Sequence, residues 1–279
     1  MRVRYTYSSR KTRRARDPKN IRKQRKKYPS IIDNIIENSD IVLEILDARF
    51  IKDTRNIKIE KEIKKQKKRI IYVLNKSDLV TRKNVNKKNL KKVTPNVFVS
   101  CRLRNGIREL RDKIKIEAKQ IEKKEKIIIG VIGYPNTGKS SLINLLIGKN
   151  SAKTGAEAGF TKGVQKLKLT PEITLLDSPG VIPDEEYSGV KKDLIFKQTK
   201  VGARTYSQVK EPELIINSLF QEYPKILQDF YKIKSKNSEE FIEELGRKKG
   251  FLKKGSEVNA DKTARLIIKD WQEGHIKIL

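Results

Sequence analysis

The amino-acid sequence predicts an α/β protein: a doubly wound, mostly parallel sheet followed by a small all-α C-terminal domain. Three observations carry this. Short, near-continuous apolar runs alternate with amphipathic helical patterns between residues 29 and 186. A glycine-rich phosphate-loop pattern stands between one such run and the helix after it. Beyond residue 187 the apolar spacing is helical, with turn residues at Pro212, Pro224, Gly246, Gly250 and Gly255.

Taken in order, Ile31, Ile32, Ile35 and Ile36 share one helical face. Ile41–Leu46 reads as a buried strand and runs into Asp47-Ala48-Arg49. A charged helix over 56–68 leads to a second strand at 70–74, and Val97–Val99 is a third. Ile107, Leu110, Ile114 and Ala118 mark a helix over 107–125. Ile127–Ile132 is a fourth strand, and a helix begins at Lys139. Runs at 164–169 and 173–176 add two more strands. Strands without polar alternation are covered on both faces, which indicates a parallel sheet between two helical layers. Segments 191–200, 212–231, 238–246 and 259–272 are helical, and Ile267 and Trp271, four residues apart, read as core.

Charge sets the class of partner. Of 279 residues, 65 are Lys or Arg and 34 are Asp or Glu, a formal net charge of +31. Such an excess calls for a polyanion, nucleic acid before anionic membrane. The first 28 residues hold thirteen Lys/Arg and a single acidic residue, Asp17. They cannot bury enough apolar surface to fold alone and read as an RNA-binding arm. A single cysteine, Cys101, excludes an intrachain disulfide, and a single histidine, His275, argues against a zinc site or a Ser-His-Asp triad. No apolar run approaches the roughly 20 residues that span a bilayer, and no apolar segment follows the basic N-terminus, so a cytoplasmic protein is expected.

Gly133-Tyr134-Pro135-Asn136-Thr137-Gly138-Lys139-Ser140 matches G-x-x-x-x-G-K-[ST] at every fixed position, with Ser141 next. Its glycines let backbone N–H groups, including those of Thr137 and Gly138, wrap a phosphate at the helix N-terminus. Lys139 is expected to bridge β- and γ-phosphate oxygens and the Ser140 hydroxyl to ligate Mg²⁺. Asn75-Lys76-Ser77-Asp78 follows the second strand. There the Asp78 carboxylate can accept from the guanine N1–H and 2-amino group, donors that adenine lacks. Asn75 would hold the loop and touch N7, and the Lys76 stem would cover the base. Ser100-Cys101 after the third strand fits a second base-binding loop, its backbone N–H meeting the base carbonyl. Asp177-Ser178-Pro179-Gly180 follows the last strand and offers a Mg²⁺-holding carboxylate and a glycine N–H for the γ-phosphate. Thr161 is the candidate switch threonine for Mg²⁺ and γ-phosphate.

The order of these motifs is base loop, second base loop, phosphate loop, first switch, second switch. In ordinary small GTPases the phosphate loop comes first. In this order, in Asp47-Ala48-Arg49, and in the stretch from Leu245 to Trp271, the sequence resembles the circularly permuted GTPases of ribosome assembly, the YlqF/RbgA-like group with its eukaryotic nucleolar relatives. The family's DAR element is usually followed by x-Pro; here Phe50-Ile51 stand there, and Arg49 is assigned to a structural turn. The resemblance implies a P-loop GTPase domain over 29–186 with permuted motif order and an all-α RNA-binding domain over 187–279. It also implies ribosomal RNA as partner, the large subunit favoured. Val181 stands where ordinary GTPases carry the glutamine that orients water, similar to GTPases with an apolar residue at this place. Slow intrinsic turnover stimulated by the ribosomal subunit is expected, and in similar proteins an asparagine placed like Asn136 helps hold K⁺ beside the phosphates. A monomer off the ribosome is expected. Two other classes compete: a non-catalytic RNA-binding protein on the same fold, and a membrane-associated signalling GTPase. Intact Lys139, Ser140, Asp177 and Asp78 oppose the first, and the missing lipidation motif opposes the second.

Overall fold

The structure is a computed structural model; it describes residues 31–81, 85–121, 124–148, 164–180, 182, 183, 186 and 192–278. The basic arm, Thr161 and Val181 lie outside these residues. Six strands form one sheet: β1 (Ile41–Asp47), β2 (Arg69–Asn75), β3 (Asn96–Phe98), β4 (Ile127–Gly133), β5 (Gln165–Lys168) and β6 (Ile173–Asp177). Their spatial order is β3-β2-β1-β4-β6-β5. All neighbours are parallel except β5 and β6.

The chain runs outward from β1 to β3, then returns to the centre as β4. Helices α1 (31–38), α3 (Ile57–Lys65) and α4 (Lys87–Lys91) cover one face, and α5 (Ile107–Lys119) and α6 (Lys139–Ile147) cover the other. A four-residue α2 (Ile51–Thr54) follows β1. Successive residues of β1 divide between the two layers: Ile41, Leu43 and Ile45 join the α5–α6 side, and Val42 and Leu46 the other. This is why the strand reads as a continuous apolar run. Glu44 is its only polar residue before the final Asp47, and it is buried.

Numbered from β4 around the permuted order, the sheet reads 2-3-1-4-5-6. The direction of winding reverses between β1 and β4. A reversal of this kind opens a crevice at the carboxyl ends of the strands, where α/β sheets bind ligands.

Helices α7 (Lys192–Lys200), α8 (Pro212–Glu222), α9 (Pro224–Tyr231), α10 (Ser238–Lys248) and α11 (Ala260–Glu273) follow the sheet. The helical stretch over 212–231 is two helices, broken at the turn residue Pro224, which starts a new helix after Tyr223. Residue 224 has no N–H to continue the first helix. Ala264, Ile267, Ile268 and Trp271 line one stripe of α11 and are buried with Phe241, Leu227 and Leu219. Phe50, from just beyond β1, and Tyr134, from the phosphate-loop pattern, belong to this same cluster. The helices therefore share a core with the sheet's carboxyl edge. The chain end also returns there: Ile278 N–H donates to the Leu79 carbonyl at 3.0 Å. No described helix is long and apolar enough to cross a membrane.

Candidate functional site

The loop after β4 needs unusual backbone at three places. Gly138 has φ +93°, and a Cβ on it would stand 2.2 Å from the Asn75 amide nitrogen. Gly133 has φ +155° and passes so close to β1 that a Cβ would meet the Ile45 carbonyl at 2.5 Å. Asn136 is left-handed at φ 59°, a conformation asparagine tolerates. The loop is tightened from within: Thr137 Oγ1 donates to the Tyr134 carbonyl at 2.9 Å. Lys139 is buried and its Nζ donates to the Gly133 and Tyr134 carbonyls at 3.0 and 2.9 Å. Burial pushes this ammonium down to about 8, with the Asp177 charge acting the other way.

Asp177, at the end of β6, is fully buried, and neither carboxylate oxygen makes a hydrogen bond of good geometry among the described residues. Burial pushes its carboxyl up to about 6, opposed by the Lys139 charge and by polar contact with Ser140 and the Ser178 N–H. A buried, unsatisfied carboxylate beside a serine hydroxyl is a donor set that fits a hard divalent cation. Gly180 packs over the phosphate loop; a Cβ on it would stand 2.8 Å from Pro135 Cα.

The base loop meets the phosphate loop through Asn75. Its Nδ2 donates to the Thr137 carbonyl at 2.7 Å, and its Oδ1 accepts from the Cys101 N–H at 3.2 Å. The Cys101 N–H is thus engaged by Asn75. Burial pushes the Cys101 thiol up to about 12, which leaves it protonated and a poor nucleophile. Ser100 Oγ donates to Asp78 Oδ1 at 2.6 Å and accepts from the Leu103 N–H, fixing the Asp78 carboxylate against the second loop. Lys76 adopts φ 61° and its Nζ reaches Asp47 Oδ2 at 2.8 Å.

These loops enclose a cleft of about 480 Å³ at the winding reversal. Asn75, Lys76, Asp78, Cys101, Asn136, Gly138 and Ser141 line it. Ser100 belongs to the same second base loop and Thr137, Lys139 and Ser140 to the same phosphate loop, whereas Asp177 and Gly180 come from a fourth segment, the end of β6 and the residues after it. Thr161 is the one candidate that lies outside the described residues. The opposite wall comes from the helices after the sheet: Gly202, Thr205, Tyr206, Gln272 and Glu273. Gln272 Nε2 holds this wall in shape by donating to the Thr199 and Arg204 carbonyls, each at 2.8 Å. Asn136 bridges the two walls, its Nδ2 donating to the Gly202 carbonyl at 2.6 Å.

Sequence reasoning missed two groups. Arg49 does lie in the turn assigned to it, and what was missed is that its side chain is almost fully buried in an ion pair with Asp47. The signal was present, since a charged Asp-Ala-Arg directly after a buried strand sits where ligands bind. Burial alone would raise the Asp47 carboxyl, but the neighbouring Arg49 and Lys76 cations outweigh it and hold the group well below the usual carboxylate range. The wall from Thr205, Tyr206 and Gln272 carried no local signal, because only long-range packing brings it to the cleft.

Comparison with known proteins agrees with this geometry. A family described as "50S ribosome-binding GTPase" matches residues 128–247. The chain is 39% identical over 258 residues to a GTP-binding protein of Methanocaldococcus jannaschii, covering 90% of this chain and 67% of the other. It is 33% identical over 261 residues to Nucleolar GTP-binding protein 2 of Saccharomyces cerevisiae, covering 91% of this chain and 53% of that protein. The chain spans about half the length of such nucleolar relatives. In fold it is similar to YlqF of T. maritima, with TM-score 0.63 to both the GDP-bound and the GNP-bound structures. The identities are 23% and 24%, and the matches cover 88% and 90% of this chain and 95% of each YlqF chain.

Proposed function

This chain belongs to a family of circularly permuted GTP-binding proteins, and from that premise we propose that it is a GTP-hydrolysing assembly factor acting on ribosomal RNA, with the large subunit as its target. The observation that carries the nucleotide part is the meeting of Asn75, Lys76, Asp78 and Cys101 with Asn136, Gly138 and Ser141 in one cleft. Those residues come from three loops far apart in sequence, and the chemistry they offer is complementary to guanine at one end and phosphate at the other.

In this reading the Asp78 carboxylate, oriented by Ser100, accepts from the guanine edge. The phosphate loop donates its N–H groups to the phosphates, and Lys139 leaves the loop carbonyls for the β- and γ-phosphate oxygens. Ser140, Asp177 and Thr161 would hold Mg²⁺, which neutralises charge developing on the phosphates. Gly180 places its N–H near the γ-phosphate. Val181 has no polar group to orient water, so turnover is slow until a partner completes the site. Asn136 would help hold K⁺ on the phosphate side. In the sequence the second switch immediately precedes the helical domain (187–279), so its ordering by γ-phosphate would set how that domain sits on RNA.

The RNA part is supported by the net charge of +31 and by the exposed lysines of the helical domain, among them Lys248, Lys249, Lys253 and Lys254. Phosphate contacts of this kind give affinity that falls steeply with salt. The basic arm (1–28) would add to it. The chain is read as a cytoplasmic monomer when off the ribosome.

The test is GTP hydrolysis in KCl and in NaCl, with and without purified large ribosomal subunits. Stimulation by the large subunit, stronger in KCl, is the expected result. Stimulation by the small subunit alone would move the target. Nucleotide binding with no hydrolysis under any condition would favour the non-catalytic RNA-binding reading, and equal rates in the two salts would remove K⁺.

A further inference from the structure

Lys76, Asp47, Arg49 and Trp271 form one unbroken chain of hydrogen bonds from the nucleotide cleft to the end of α11. Lys76 Nζ donates to Asp47 Oδ2 at 2.8 Å. Arg49 grips the same carboxylate twice, Nε to Oδ1 at 3.0 Å and Nη2 to Oδ2 at 2.9 Å. Its remaining nitrogen, Nη1, donates to the Trp271 carbonyl at 3.0 Å. The Arg49 and Asp47 side chains are 1% and 0% exposed, so solvent does not loosen these bonds. A planar fork on a carboxylate is rigid, and lysine could not reproduce it. The Trp271 carbonyl lies in the last turn of α11, where it also accepts from the Gly274 N–H and where the negative end of the helix dipole favours a cation.

We propose that Arg49 is a positioning residue that couples occupancy of the base pocket to the seating of the helical domain. The proposal rests on the guanine-nucleotide reading above and deepens it. A purine laid against the Lys76 stem requires one position of that side chain. Asp47 holds the ammonium end, so a shift of Lys76 turns the carboxylate. Because Arg49 holds both oxygens of that carboxylate, the turn carries Nη1 relative to the end of α11. Phe50, adjacent to Arg49, stacks on the Trp271 ring at 6.0 Å between centroids, and Tyr223 packs on it at 5.0 Å, so the indole surroundings move as well. This route starts at the base. It is separate from the covalent route through the second switch, which starts at the γ-phosphate. Linkage makes the coupling reciprocal: seating of the helical domain changes nucleotide affinity by the same factor.

Trp271 is the only tryptophan in the chain and reports directly on the far end of the relay. The experiment titrates the full chain with GDP and Mg²⁺, reading heat by calorimetry and Trp271 emission in parallel, for wild type, Arg49→Lys, Lys76→Met and the double variant. In the wild type the emission change should saturate with the calorimetric Kd. Arg49→Lys should bind GDP about 5- to 20-fold more weakly and lose the emission response while still unfolding in one cooperative transition, at a lower melting temperature because buried partners lose their hydrogen bonds. Adding Lys76→Met, which keeps an apolar stem over the base and removes only the ammonium on Asp47, to Arg49→Lys should cost less than about twofold further, because the two act on one path. Wild-type GDP binding with no change at Trp271 would overturn the proposal, and this needs no variant to fold. Multiplicative losses in the double variant would overturn it too. A wild type that shows no heat with GDP would instead overturn the guanine-nucleotide reading on which it rests.

Discussion

Asn75 ties the phosphate loop to the base loop: its side-chain nitrogen donates to the Thr137 carbonyl at 2.7 Å across 62 positions of chain. The same amide's oxygen accepts from Cys101, so one buried side chain joins all three loops of the cleft. Asn75→Ala leaves the Thr137 carbonyl and the Cys101 N–H unpaired, at about 1–3 kcal/mol for each buried group. GDP affinity should fall by about 10-fold or more, with a lower melting temperature, in a calorimetric titration and a thermal melt. An alanine variant that binds like wild type would show that the loops hold one another by other means.

Specificity should reside in Asp78. Its Oδ1 is fixed by the Ser100 hydroxyl, and its carboxylate lines a cleft where a bound guanine would present two donors. Asp78→Asn replaces one acceptor by a donor. Loss of GDP affinity by at least ~100-fold, with a gain for xanthosine diphosphate, is expected from the pairing lost at a site built for polar contact. Competition binding with GDP, XDP and ADP checks this, and unchanged preference for GDP would remove Asp78 from the base pocket.

Gly180 has no room for a side chain, since a Cβ would meet Pro135 Cα at 2.8 Å and Pro135 N at 3.1 Å. Both contacts are with the phosphate loop, and backbone of this kind does not give way cheaply. Gly180→Ala should push Asp177–Gly180 off the loop and cut hydrolysis by about 10²-fold through loss of a donor to developing charge. GDP affinity should change little. Single-turnover hydrolysis and GDP titration separate the two effects.

Glu44 should give the protein a pH-dependent stability. It is fully buried in β1, where burial first and the nearby Glu60 charge second push its carboxyl up to about 8, against the Asn56 N–H and the Arg55 charge. The unfolded chain loses this proton near the ordinary value of 4.5, whereas the fold keeps it to about 8. The folded state therefore binds the extra proton between these values, and stability falls as pH rises through that window. Glu44→Gln keeps an acceptor for the Asn56 N–H, which Glu44 Oε1 now serves at 3.0 Å, without the titrating charge. Its melting temperature should exceed the wild type's at pH 8–9 and match it near pH 5. Parallel pH profiles for the two proteins would assign the dependence elsewhere.

Much of this architecture is legible locally. Val42 and Leu43 are both apolar because β1 is covered on both faces, so the run itself announces a central parallel strand. Gly138 and Lys139 follow a strand and open a helix, so the phosphate loop is visible from spacing alone. The order of Asn75–Asp78 before Gly133–Ser140 states the permutation without any coordinates. Trp271 falls in the core stripe of α11, as its helical spacing with Ile267 implies. All of these depend on the 2- and 3.6-residue periods and on backbone needs of single residues, which a sequence records directly.

What the sequence could not state is which distant groups share the cleft. Arg49 lies 222 positions from the carbonyl it holds, Asn136 lies 66 from Gly202, and Gln272 supports a wall built from residues near 205. These contacts accompany the entry of Phe50 and Tyr134 into the core of helices α7–α11, which sets those helices against the carboxyl ends of the strands. The sequence by itself determined the sheet, the motif order and the chemistry of the three loops. Tertiary structure alone decided that the helices form the other side of the site. The reason is that a buried aromatic looks the same in sequence whichever core it enters, and its choice is made by packing across the whole chain.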